Sequence, residues 1–153
     1  MPIQPQTVGL TGVITPIVLV DPAAPPVNII DRKDPFIVRV TISLSGPLVP
    51  FLAGQHFVTV ARIESIGGGF EGQIGPAVNT TVVPVGLTWA AVIDIHCPAA
   101  ASHPPGSPGY IQEGVYELAV LTRLFNVANV PLGLTGYQSL EYIEFYNSPT
   151  TPP

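Results

Sequence analysis

The chain has 153 residues, five of them basic and ten acidic, for a formal net charge of −5. A domain of this size buries roughly 70% of its unfolded surface and needs no disulfide or metal to hold it. With Cys97 the single cysteine, an intrachain disulfide is excluded. The acidic balance argues against nucleic acid and anionic lipid as partners, and no apolar run is long enough for a membrane span.

Charged residues make up 10% of the sequence, against about a quarter in a typical soluble domain. A folded chain of this mass exposes roughly 7,400 Å², so each charge serves about 500 Å² of exterior. Much of that exterior is uncharged, which leads us to expect a protein partner or self-association. The start, Met-Pro-Ile-Gln-Pro-Gln, lacks a basic n-region and a small-residue cleavage site. The expected location is therefore cytoplasmic, with signal-independent export as the alternative.

In chain order, Thr7–Val20 is apolar and β-branched, and Asp21-Pro22-Ala23-Ala24-Pro25-Pro26 parts it from the rest. A proline-rich hinge is stiff and extended. The expected organisation is a β-capable extension over 1–26, a sandwich domain over 27–147 and a flexible Pro/Thr-rich tail over 148–153. The extension either folds back as an edge strand of its own sandwich or adds a strand to a neighbouring subunit. In the second case Val8, Leu10, Val13, Ile14, Ile17, Val18, Leu19 and Val20 form the oligomerisation segment.

Helical periodicity is nearly absent, and alternation of period two takes its place. A short edge strand is expected near Val27–Asp31, followed by Asp31-Arg32-Lys33-Asp34 as a solvated hairpin corner. Phe36–Leu44 sets Phe36, Val38, Val40, Ile42 and Leu44 on one face, the mark of a half-buried strand. His56–Glu64 is apolar on both faces, as in a central strand, and Gly67-Gly68-Gly69 opens a loop after it. Two weaker stretches, Phe70–Ile74 and Val78–Val83, lead to Leu87–Ile95, where Leu87, Trp89, Ala91, Ile93 and Ile95 share a core-like face. Pro98–Pro108 is an exposed irregular loop. Val115–Phe125 is a long strand, Asn126–Gly136 a connection, and Ser139–Tyr146 the final strand. Some seven strands punctuated by turns, with no helices between them, predict an all-β antiparallel sandwich.

The segment Gln112-Glu113-Gly114-Val115-Tyr116-Glu117-Leu118 resembles the start of the penultimate strand in immunoglobulin-like domains. There a glycine or alanine stands two residues before a corner tyrosine, and a core residue follows two later. Gly114, Tyr116 and Leu118 occupy those places; antibody-type domains have cysteine where Leu118 stands and often aspartate where Gln112 stands. The chain departs from that pattern in lacking a cysteine pair and in carrying its tryptophan, Trp89, in the strand before the corner. The resemblance, over Val27 to Asn147, is to the broad immunoglobulin-like or fibronectin type III-like superfamily. It implies a binding or spacing module.

Titratable groups are scarce. Asp94, His96, Cys97 and His103 form the one local cluster, but His-Cys-x5-His matches no zinc or copper ligand signature. A Cys97 nucleophile needs an adjacent base, and His96 points to the opposite face of the same strand. Gly67-Gly68-Gly69 leads into no helix and makes no phosphate cradle. The expectation is a non-catalytic structural or protein-interaction module without cofactor or metal, a subunit of a homomeric or larger assembly. The alternative is a carbohydrate-type ligand-binding module that uses Tyr137, Tyr142 and Tyr146, of which Tyr142 and Tyr146 share one strand face.

Overall fold

Apolar alternation at period two builds two facing sheets. The structure, a computed structural model, describes residues 3–4, 9–21, 23–105, 107 and 110–149. Among the described residues nine strands follow one another: β1 (Ile3–Gln4), β2 (Thr11–Leu19), β3 (Ile29–Asp31), β4 (Phe36–Ser45), β5 (His56–Ser65), β6 (Gly72–Thr81), β7 (Thr88–Cys97), β8 (Gly114–Phe125) and β9 (Pro131–Tyr146). One sheet has the order β2-β4-β7; the other runs β1-β9-β8-β5-β6, with β3 also on β9. The chain is an all-β sandwich, as its alternation predicts.

The core lies between the sheets. Phe36, Val38, Val40, Ile42 and Leu44 of β4 face Tyr116, Leu118, Val120 and Leu124 of β8, and all are buried. Each fully buried aliphatic side chain contributes about 1.5–3 kcal/mol relative to exposure. Phe57 stacks on Trp89 at 5.5 Å, and Phe36 and Tyr116 each meet Phe145 edge-on. The two polar side chains at the centre satisfy each other: Thr59 Oγ1 and Thr122 Oγ1 are 2.9 Å apart and fully buried.

Of the two placements open to the segment before residue 27, the structure has the one in cis. β2 runs antiparallel to β4 in unbroken register from Thr11↔Ser45 to Leu19↔Ile37. Leu10, Ile14, Val18 and Leu19 are buried in the chain's own core, Ile17 is half-buried, and Val13 and Val20 are exposed. Val8 lies outside the described residues. The proline-rich stretch turns instead of projecting, for Ala24 N–H donates to the Asp21 carbonyl and Val27 N–H to the Val18 carbonyl. Closing a short loop within one chain costs little entropy, so the strand finds its partner in cis. Pro16 sits in the middle of β2, a position open to proline because β2 is an edge strand.

Other boundaries also move. Phe70–Ile74 and Val78–Val83 merge into β6, whose pairing to β5 shifts register between Thr59 and Ala61. β9 begins at Pro131, within the segment expected as a connection. β3 lies near the expected edge position but pairs parallel to β9, from Ile29↔Glu144 to Asp31↔Tyr146. Leu87, expected on the core stripe of β7, is exposed in the turn before it. Within the tail expected over 148–153, Lys33 Nζ donates to Ser148 Oγ at 3.2 Å, and positions 150–153 lie outside the described residues.

The charged turn is not wholly solvated. Asp31 and Lys33 face water, but Arg32 is buried, with 7% of its surface exposed. Its Nε donates to the Ile111 carbonyl at 2.7 Å and its Nη1 to Asn147 Oδ1 at 2.8 Å. The guanidinium also lies over the Tyr110 ring, 4.9 Å from its centroid. Arg32 thus ties the connection before β8 to the chain end after β9.

Candidate interaction surface

The tyrosines and the polar cluster singled out in the sequence fall in two separate places. Tyr137, Tyr142 and Tyr146 lie exposed along β9. Tyr137 lines a shallow cleft of about 230 Å³ with Arg62, Glu64, Glu71 and Glu117, which Tyr142 and Tyr146 do not join. Glu64 and Glu117 stand directly opposite each other across the β5–β8 pair, a like-charge juxtaposition that weakens a sheet. Ser139 Oγ donates to Glu117 Oε1 at 2.6 Å.

The polar cluster on β7 disperses. Asp94 pairs with Arg39 through two short contacts, Nε to Oδ1 at 2.7 Å and Nη2 to Oδ2 at 2.9 Å. His96 is exposed on that same outer face, whereas Cys97 points into the core. Burial pushes the Cys97 thiol up to about 12, so it is not a thiolate near neutrality. His103 shares with Cys97 a crevice of only about 40 Å³. Among the described residues no three His, Cys, Asp or Glu side chains gather as a metal site.

The feature that sequence reasoning missed is one whole end of the sandwich. Strand registers Thr11↔Ser45, Ser45↔Thr88, His56↔Thr81, His56↔Phe125 and Phe125↔Pro131 bring the connections 46–55, 82–87 and 126–130 to that end. None of the three contains a charged residue. Together with Leu132 at the start of β9 they expose Leu48, Phe51, Val83, Val85, Leu87, Val127 and Val130, with Phe51 at 76%, Val85 at 77% and Val127 at 81%.

The connections 46–55 and 82–87 are tied to each other and to the start of β2, and 126–130 is closed by its own Asn126–Val130 bond. Gly46 N–H donates to the Leu87 carbonyl, Gly54 N–H to Val82, Val82 N–H to Gln55, and Leu48 N–H to Gly9. Gly46 has φ of +126°, and a Cβ there would fall 2.3 Å from the Gly9 carbonyl oxygen, so only glycine allows this junction. Buried Val49 anchors the short 3-10 turn Val49–Leu52 from below. Pro47, Pro50 and Pro84 stiffen the connections further.

The charges lie elsewhere. Asp21, Asp31, Lys33, Asp34, Glu71 and Glu113 sit on connections at the opposite end or in the short strand there, and Glu64, Glu117 and Glu144 lie on adjoining strand ends. Arg123, two residues from the end of β8, borders the apolar end, where Phe125 stacks against His56 at 5.8 Å. The signal legible in the sequence was three charge-free connections in alternate gaps between strands, which share one end in an antiparallel sandwich.

The chain matches no protein-family model and no curated protein. Among the described residues no helix is long and apolar enough to cross a membrane.

Proposed function

We propose that this chain is a non-catalytic, immunoglobulin-like module that serves as a structural or protein-interaction subunit of a larger assembly. The observation that carries the reading is the charge-free end, where large apolar side chains stand exposed on loops ordered by backbone hydrogen bonds. A soluble monomer rarely keeps a contiguous apolar patch of more than a few hundred Å² uncovered. Ordered loops reduce the entropy lost on docking.

Two features support the immunoglobulin-like part of the reading. The Tyr116 hydroxyl donates to the Gln112 carbonyl four residues upstream, the bond that defines a tyrosine corner. β6 stands beside β5 on the sheet that holds β8 and β9, where variable-type sandwiches add a strand. A fold of this kind does not itself specify a partner.

The test is a photo-reactive phenylalanine analogue placed at position 85 or 127 in cells that produce the chain. Discrete protein adducts from both positions, with none from position 92 on the outer face of β7, are the expected result. Absence of any adduct from 85 and 127 overturns the docking reading.

A second reading, a carbohydrate-type ligand site, draws on the cleft where Tyr137 stands beside Arg62, Glu64, Glu71 and Glu117. An aromatic face among fixed polar groups suits a saccharide. A glycan array without signal, or binding unchanged in Tyr137→Ala, removes it.

A further inference from the structure

We infer that the occupant of the apolar end is a second copy of this chain, the two sandwiches meeting loop to loop about a twofold axis. The inference rests on the docking reading above and names its partner.

Area is the first argument. The seven large apolar residues exposed on the three loops, each between 43% and 81%, present an area on the order of the ~800 Å² that one partner contributes to a stable interface. Charge is the second. A partner with ionised groups would bury them unpaired against this end, which has nothing ionic to offer on residues 46–55, 82–87 or 126–130. The complementary surface must therefore be free of charge as well, and the chain's own end meets that requirement. In an isologous interface the same patch serves both sides.

Electrostatics over distance also favours the arrangement. The acidic connections lie about 30 Å away, the length of a ten-residue strand. Loop-to-loop docking keeps the two sets of carboxylates some 60 Å apart, far beyond the Debye length of about 8 Å at physiological salt. Side-by-side packing with both copies pointing the same way would bring the acidic ends together. A lipid surface fits poorly, because the three connections contain no Trp, Tyr, Lys or Arg, the residues that anchor a protein at a bilayer interface.

The test is sedimentation velocity on the full purified chain from about 1 to 200 µM, a range that brackets modest dimer affinities. Val85→Glu and Val127→Glu change side chains that are 77% and 81% exposed, and circular dichroism checks that both variants fold. Val92→Glu, also exposed but on the outer face of β7, is the control. We expect a concentration-dependent dimer whose dissociation constant rises at least 10-fold in either loop variant and is unchanged in the control. A monomer across the whole range, or a dimer indifferent to both loop variants, overturns the inference. In either case cross-links from position 85 to a different protein leave the docking reading standing, so the two failures are told apart.

Discussion

The Tyr116 hydroxyl donates to the Gln112 carbonyl at 3.0 Å while its ring stands edge-on to Phe145 at 5.6 Å. One residue thus closes the connection leading into β8 and packs in the core against Phe145 of the neighbouring β9. Tyr116→Phe keeps the ring and orphans a carbonyl, so we expect a loss of about 1 kcal/mol in urea unfolding. Tyr116→Ala also opens a cavity and should lose about 3–5 kcal/mol. Burial raises the hydroxyl's pKa above 10, against smaller opposing effects of Arg32 and the Gln112 bond. The folded state therefore holds the proton more tightly than the unfolded state. This contribution is complete below about pH 10 and is lost as pH climbs through the folded value. The alkaline limb should flatten in Tyr116→Phe.

Arg32 is the second tie at the charged end. Its buried guanidinium bonds to Ile111 and Asn147 from one planar fork. Arg32→Ala leaves those acceptors without their donor, and we expect a loss of about 2–3 kcal/mol. Lysine should not restore it, because an ammonium group cannot reproduce the fork. Amide exchange should quicken around Ile111 and Asn147 in both variants.

Most of the sandwich was legible because half-buried strands announce themselves by alternation: Phe36–Leu44 and Val115–Phe125 lie within or almost fill β4 and β8. What was not legible depends on residues far apart in the chain. The partner of Thr11–Leu19 is chosen by matching β4 residue by residue, and alternation within one strand says nothing of its neighbour. Arg32 reads as a surface charge until Ile111 and Asn147 arrive from 79 and 115 residues away. The first residues of β9 read as a connection because Gly133 and Gly136 interrupt its alternation. The apolar end was missed because each connection is unremarkable alone, and only the shared direction of the strands gathers them.

Gly75 sits where β6 leaves its register with β5 and approaches β7. Its φ is +67°, and a Cβ would fall 2.8 Å from Ile95 Cγ2, 3.0 Å from Cys97 Sγ and 3.1 Å from the His96 carbonyl oxygen. Gly75→Ala combines a left-handed backbone penalty with overpacking. Each costs about 1–2 and 1–3 kcal/mol respectively. Thermal unfolding should show a clear drop, whereas alanine at Gly68, with open space around it, should leave the midpoint nearly unchanged.

Cys97 provides a reporter of global opening. The thiol is buried and its pKa is pushed up to about 12 by loss of solvation. Labelling by a maleimide at pH 8 should therefore proceed only through unfolding, at a rate that rises with denaturant in step with the loss of structure. Rapid labelling of the native protein would contradict the placement of this side chain.

The Arg39–Asp94 pair joins β4 to β7 on the outer face of the smaller sheet, both side chains more than a quarter exposed. The two bonds from Arg39 hold the Asp94 carboxyl below the usual carboxylate range, with burial opposing and the charges of Arg39 and His96 adding to the effect. A depressed folded pKa means that the unfolded state takes up the proton first as pH falls. The stability from this pair is complete above about pH 4, the unfolded value, and is lost as pH drops through the folded pKa. Because the pair is partly exposed and screened by salt, the effect is small. It should nevertheless appear as a shallower acid limb for Asp94→Asn than for the native chain at low ionic strength, and the difference should shrink at 1 M salt. Equal acid limbs at low salt would show that the pair contributes nothing to folding.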